Sequence, residues 1–189
     1  MILISVVLTA CSQPTDINQV AWIHGAPDCS KPQAVIPGIQ VYEADKYTYV
    51  LRQNKCVHYE APFMFLLIGN SQALLIDTGG EADRDDFPLF ETVAELLVKA
   101  TGQPDFPLVV LHSHTHSDHW GGDEQFLGRP NVTIVAPTLE AVKNYLVIDD
   151  WQILNITNTD MVGVTTIGEY DPHNHSSYVC AGSLEQVSV

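Results

Sequence analysis

Leu111-His112-Ser113-His114-Thr115-His116-Ser117-Asp118-His119-Trp120-Gly121-Gly122 is the stretch on which the fold and the chemistry of this chain turn. Of the eight histidines in the sequence, four fall between His112 and His119. The stretch follows Leu108-Val109-Val110-Leu111, a short run that is apolar throughout, with Pro107 at its entrance. Such a run reads as a strand buried on both faces. The histidines therefore occupy a loop whose position is set by a rigid strand end. Imidazole and carboxylate are the ligand types for zinc and related divalent ions. A compact loop carrying His-x-His and then Asp-His offers two ligand pairs to two neighbouring metal positions. Gly121 and Gly122 let the backbone turn away sharply without Cβ conflict. A solvated histidine-rich tract that binds metal incidentally would need neither the Asp, nor the glycine pair, nor the apolar strand before it.

Working outward, Leu74-Leu75-Ile76 is a second apolar run, stopped abruptly by Asp77-Thr78-Gly79-Gly80. Between the two runs, residues Phe90 to Ala100 have helical spacing, with Phe90, Val93, Leu96 and Leu97 on one face and Gly102 past the end. Further upstream, Phe63 to Ile68 and Ala73 to Ile76 flank Gly69-Asn70-Ser71, a hairpin signal. Ile39 to Gln53 alternates like another hairpin, turning near Ala44-Asp45-Lys46. Downstream, Val132 to Val135 reads as a strand and Thr138 to Leu146 as a short helix. Asn155 to Asp160 reads as loop, and Val162 to Ile167 and Tyr178 to Ala181 as weaker strands. Hairpins first, then strand, helix, strand, helix: the pattern predicts a mixed α/β (α+β) domain with helices covering a sheet.

Composition narrows the function. A chain of 189 residues and 20.8 kDa, 46% apolar, suits one folded domain and excludes disorder. Eight Lys and Arg against 23 Asp and Glu give a net charge of −15. That balance argues against nucleic acid as a partner and against a basic patch on anionic lipid. Ile2 to Ala10 is apolar or small throughout, too short to span a bilayer, and reads as a secretory h-region. A buried first strand is the alternative, since no Lys or Arg precedes Lys31. Leu8-Thr9-Ala10-Cys11 resembles the lipobox of bacterial lipoproteins, which implies lipidation at Cys11. The expected organisation is a signal segment over 1–11 and one domain over 12–189. The protein is then exported to the periplasm, touching a membrane only through a lipid anchor. Cys29 and Cys56 sit in polar, turn-rich surroundings, as a disulfide or as two surface thiols; Cys180, in an apolar run, reads as a packed small residue.

His114-x-His116-x-Asp118-His119 followed by Gly121-Gly122 resembles the HxHxDH signature of the metallo-β-lactamase superfamily. Leu74 to Gly79 resembles the strand-ending Asp-x-Gly element of the same superfamily, and the two elements stand in its order with a helix between them. Together they span about residues 60 to 137. The resemblance implies an αββα sandwich with an incomplete second half. It implies that His114 and His116 bind one metal with a third histidine from a later loop. His175 is the candidate and His173 its rival. Asp118 and His119 belong to a second metal, and Asp77 supports the loop from behind the ligands. Only 14 residues follow His175, with no His, no Asp and a single acid, Glu185, so the expectation is a chain that does not complete a two-metal site.

The cofactor implied is zinc, as one or two ions, with iron or manganese as alternatives. Three imidazoles leave a fourth position for water, whose pKa falls from 15.7 to about 7 on the metal. The implied activity is hydrolysis of a small carbonyl substrate (a β-lactam, lactone, thioester or ester) by the metal-bound hydroxide. Asp118 would be the catalytic group that orients the hydroxide or passes its proton. His112 is expected to lie behind the ligands or at the surface, and Trp120 to pack. A chain truncated at its C-terminus, a metal-binding remnant without catalysis, or one half of an obligate assembly, is the alternative expectation. The sequence holds neither a Gly-x-Ser-x-Gly elbow nor a phosphate-cradling Gly-Lys-Ser/Thr loop.

Overall fold

The computed structural model describes residues 16–146 together with the backbone of 163–170 and 175–181. The 1–11 segment with Cys11, the 155–160 loop and His173 lie outside the described residues, as do the side chains of His175 and Cys180. Within them, β1 (Ile39–Asp45), β2 (Thr48–Gln53), β3 (Phe63–Ile68) and β4 (Ala73–Ile76) come first. Helix α1 (Leu89–Thr101), β5 (Leu108–Leu111), β6 (Val132–Ile134) and α2 (Leu139–Leu146) follow, and then β7 (Gly163–Tyr170) and β8 (His175–Ala181). β7 and β8 form a two-stranded antiparallel sheet.

The first six strands make one sheet in sequence order, β1-β2-β3-β4-β5-β6. Its first three pairings are antiparallel and the last two parallel. A change from hairpins to crossovers follows from connection length. Gly69 to Gln72 can only reverse the chain, whereas a parallel partner needs a crossover of a dozen or more residues. Residues between β4 and β5 include α1, and those between β5 and β6 include the histidine loop.

Alternation along the strands builds two cores. Tyr49, Leu51, Met64, Leu66, Ala73, Leu75, Leu108 and Val110 face one way and meet Leu89, Val93, Leu97 and Ala100 of α1. The buried α1 positions fall at helical spacing, one stripe of an amphipathic helix. Phe90 and Leu96, expected on this stripe, flank it and are half-buried. Gly102 ends the helix at φ 76°, with its N–H on the Val98 carbonyl (2.8 Å). On the other face Leu74, Val109 and Leu111 pack with Val135 and with Val142 of α2. β5 is buried on both faces, which is why all four of its residues are apolar. Each fully buried Leu or Val contributes about 1.5–3 kcal/mol relative to exposure.

Upstream of β1, Trp22 stands edge-on to Phe63 (ring centroids 4.9 Å) and to Tyr42 (5.9 Å). Cys29 and Cys56 form a disulfide. Asn54 anchors the same region: its Nδ2 donates to the carbonyls of Ala34 and Pro37, and its Oδ1 accepts from Cys56 N (2.8 Å). Among the described residues no helix is long and apolar enough to cross a membrane.

Candidate metal centre

Parallel pairing of β4 and β5 creates the site. Ile76 stands opposite Leu111, so Asp77 and His112 leave the sheet side by side at the C-terminal ends of neighbouring strands. That edge is where ligands of parallel sheets are generally held. Asp77 leaves β4 at φ 66°, a left-handed conformation uncommon outside glycine but tolerated by Asp. Its N–H remains on Leu111 O (2.8 Å), and the turned backbone brings its carboxylate to the histidine loop. There Oδ1 accepts from Ser113 N (2.6 Å), and Oδ2 accepts from Ser113 Oγ (2.7 Å) and meets His119 Nδ1 (2.8 Å).

The loop is compacted by two 3-10 turns, Ser117–His119 and Gly121–Gln125. These bring His114, His116, Asp118 and His119 into one cluster. The His114 ring lies 3.9 Å from that of His119 and 4.6 Å from that of His116, centroid to centroid. His114 Nε2 is 3.0 Å from His116 Nδ1, and His119 Nε2 is 3.1 Å from Asp118 Oδ2. Asp118 is buried, His114 and His119 half-buried and His116 exposed, so the cluster opens to solvent on the His116 side. Trp120 closes the loop by donating Nε1–H to Thr115 O (3.1 Å).

Two charge effects prepare the imidazoles. Burial, then the neighbouring His119 and His116, pull His114 below the ordinary histidine value despite Asp77 and Asp118. His114 is therefore a neutral imidazole at pH 7, the form that binds metal. For His119 burial also pulls down, but the hydrogen bond and charge of Asp77, with Asp118 and Glu60, outweigh it and the net shift is upward. A histidine raised above its ordinary 6.5 stabilises the fold fully below that pH and loses the contribution as pH rises through the folded value. Metal-free protein is thus expected to become less stable to urea as pH climbs from 6.5 through the raised pKa. In Asp77→Asn that decline should flatten; an equal decline in both proteins would discard the Asp77–His119 coupling.

The donor set, three imidazoles and a buried carboxylate with a second carboxylate behind them, fits a divalent transition ion. Among the described residues, however, no group of three His, Cys, Asp or Glu side chains is arranged to hold an ion as it stands. The reason is visible in the pairings above: ring nitrogens that would face an ion are turned onto one another or onto Asp118. A third convergent donor was expected from His175 or His173. His175 opens β8, paired with Tyr170, and its side chain lies outside the described residues, as does His173.

Of the two places expected for His112, behind the ligands or at the surface, the structure gives the buried one. It is completely buried, with Nδ1 on Val135 O (3.1 Å) and Nε2 on Asp123 Oδ1 (3.0 Å). Asp123 Oδ1 also accepts from Thr78 Oγ1 (2.8 Å), so His112 clamps the ends of β5 and β6 to the second 3-10 turn. Gly121 and Gly122 serve otherwise than expected, because neither is at positive φ. They permit close approach: a Cβ on Gly122 would lie 2.2 Å from Thr78 O, and one on Gly121 2.8 Å from Gly80 C. Gly122→Ala should therefore cost about 1–3 kcal/mol, as overpacking against rigid backbone does. Urea denaturation checks this, and a midpoint equal to that of the parent protein would contradict the contact.

Three further groups were not legible in the sequence. Ser113 touches Asp77, His114 and His119 at once. Gln125 is buried and spans the loop and α1, accepting from Phe90 N (3.1 Å) and donating to Phe87 O (2.8 Å). The His58-Tyr59-Glu60 segment, which follows the disulfide-bonded Cys56, borders the site. A Cβ on Gly80 would meet the His58 ring at 2.6 Å, and Gly80 in turn touches Gly121. Tyr59 donates to Glu60 (3.1 Å), and that carboxylate, with burial and the charge of Asp118, raises the phenol pKa. No motif marks these residues, since tertiary contacts alone bring them to the loop.

A family model described as the metallo-beta-lactamase superfamily matches residues 60–186, more than half of the chain. The chain belongs to the metallo-β-lactamase superfamily. Its mixed α/β architecture and the family resemblance of its loop agree with that membership. Members are mostly hydrolases and bind divalent metals. No curated protein matches the chain. Among solved structures, a metallo-β-lactamase from Hirschia baltica aligns at 16% identity and TM-score 0.40, over 66% of this chain and 55% of that one. A metallo-β-lactamase from Pontibacter korlensis aligns at 19% identity and TM-score 0.44, over 68% and 60%. A mutant flavo di-iron protein from Thermotoga maritima aligns at 16% identity and TM-score 0.47, over 76% and 40%. This superfamily chain thus spans 40 to 60% of the length of these three structures.

Proposed function

We propose that this superfamily member is a zinc-dependent hydrolase of a small carbonyl substrate, a β-lactam, lactone, thioester or ester. The observation that carries the reading is the His114–His116–His119–Asp118 cluster, seated on Asp77 at the ends of two parallel strands. His114 and His116 would hold one ion together with His175 or His173, and Asp118 and His119 a second. When bound, zinc supplies a water acidified to a pKa of about 7 and a positive charge for the substrate oxygen. The chain's own residues do the rest. His114 enters as a neutral donor, kept so by burial and its histidine neighbours. Asp118, buried at the base of the cluster, orients the attacking water and takes its proton. Trp120 and Tyr59, both exposed beside the cluster, offer aromatic walls to a substrate.

Export to the periplasm belongs to the same proposal, with Cys11 as lipid attachment point; the Cys29–Cys56 disulfide supports it, since disulfides persist in oxidising compartments. The test is metal content of the purified chain together with hydrolysis of a chromogenic lactam and a panel of lactones and thioesters. Zinc with turnover on one class supports the reading. Zinc without turnover on any of them rejects it in favour of a metal-binding, non-catalytic chain.

A further inference from the structure

Ser113 lies between the two half-buried imidazoles of the cluster and the carboxylate beneath them, and its hydrogen bonds can be resolved proton by proton. Its hydroxyl has a single proton. The Asp77 carboxylate only accepts, so at 2.7 Å from Oδ2 that proton belongs to the Ser113–Asp77 bond. Towards the rings Ser113 Oγ then has lone pairs alone. His114 Nδ1 lies 3.0 Å from it and His119 Nδ1 3.3 Å. A ring nitrogen without a proton at those positions would set lone pair against lone pair. His119 Nδ1 is bound by the same logic from a second side, because Asp77 Oδ2, 2.8 Å away, is also only an acceptor.

We propose that Ser113 is a positioning residue that, oriented by Asp77, holds His114 in the Nδ1–H tautomer, so that its Nε2 keeps a lone pair, towards His116 Nδ1 (3.0 Å) in the metal-free chain and for a metal ion when one binds. Which nitrogen of a histidine is available to a metal is set by the hydrogen bond the other one makes. His114 has no carboxylate on Nδ1, so the serine is its tautomer-setting partner there. The Ser113 backbone N–H on Asp77 Oδ1 (2.6 Å) fixes the carboxylate, so its second oxygen is correctly aimed at the hydroxyl and at His119. One side chain thus presets the tautomer of His114, whereas His119 lies between two carboxylates, with Nδ1 on Asp77 (2.8 Å) and Nε2 on Asp118 (3.1 Å). The ligand assignment rests on the proposed function, whereas the tautomer assignment concerns the metal-free chain and stands without it.

The experiment uses the full chain with 15N-labelled histidine, stripped of metal, at a pH where the imidazoles are neutral. The parent protein is expected to show Nδ1 protonated and Nε2 unprotonated in His114. Ser113→Ala should move His114 towards the Nε2–H tautomer that free imidazole side chains prefer, leave His119 on its Asp77 bond, and lower zinc affinity in chelator competition about 10-fold. Ser113→Thr, which keeps the hydroxyl, should restore both readouts. If Ser113→Ala does not fold, Ser113→Cys puts the same question with a weak acceptor. His114 remaining Nδ1–H without the hydroxyl, or an unprotonated His114 Nδ1 in the parent, overturns the proposal. Absence of zinc binding by the parent defeats the proposed function instead, and leaves the tautomer result to be read on its own.

Discussion

Replacing His116 with alanine is expected to remove tight zinc binding and turnover together while leaving the fold in place. The ring is exposed and carries none of the core, so its removal should change stability by no more than about 0.5 kcal/mol. It nevertheless faces His114 Nε2 at 3.0 Å, so the two imidazoles share one small space and are the pair proposed to hold one ion. Changes to groups behind the ligands typically lower metal affinity 10–100-fold, and loss of a ligand itself should exceed about 100-fold on the same scale. Zinc retained after dialysis against a weak chelator, turnover on the substrate panel and a urea melt measure the three quantities. An unaltered rate in His116→Ala would reject the assignment of this histidine, since a ligand of the ion on which turnover depends cannot be removed without loss of rate.

Asp77→Ala should produce the largest combined effect, on stability as well as on metal affinity. The carboxylate is buried and holds Ser113 N, Ser113 Oγ and His119 Nδ1, so its removal leaves an N–H without an acceptor and a raised histidine without its counter-charge. Breaking a buried hydrogen-bonded pair costs about 3–5 kcal/mol, and the alanine must also adopt φ 66°, which β-carbon sterics oppose. Zinc affinity should fall 10–100-fold, as for other groups that orient ligands. Asp77→Asn separates the two effects, because Asn tolerates the left-handed backbone and retains one acceptor oxygen for Ser113 N–H. It should lose affinity while losing less stability than the alanine. Equal stability of Asp77→Ala and the parent chain in denaturant titrations would mean that the strand end does not depend on this carboxylate.

The elements nearest the site were legible because their patterns are local. Phe63 to Ile68, Ala73 to Ile76 and Leu108 to Leu111 are uninterrupted apolar runs, each bounded at one end or both by Gly, Pro or Asp, and all three are strands with those bounds. Helix α1 was anticipated to within a residue at each end, since Gly102 and the apolar spacing mark it. Its inward face was shifted: Leu89 and Ala100 are in and Phe90 is at the flank, because Phe90 is drawn towards Arg129 (4.1 Å from the guanidinium carbon to the ring) and Phe126 (5.5 Å between centroids). His112 could not be read as a clamp, for its partners Val135 and Asp123 lie 23 and 11 residues away.

By itself the sequence determined the identity and order of the side chains proposed to bind metal, the apolar strands that carry them and the superfamily they mark. All of these are properties of spacing along one chain. Only the tertiary structure decided that Asp77 and the histidine loop meet, through the in-register pairing of Ile76 with Leu111. It also decided that Gly121 and Gly122 are required by a neighbouring backbone rather than by their own dihedrals, and that Ser113 stands between a carboxylate and two imidazoles. The physical reason is common to all three: hydrogen bonds and steric exclusion act over a few ångströms in space, and residues separated by 36 to 45 positions acquire such neighbours only when the sheet has formed.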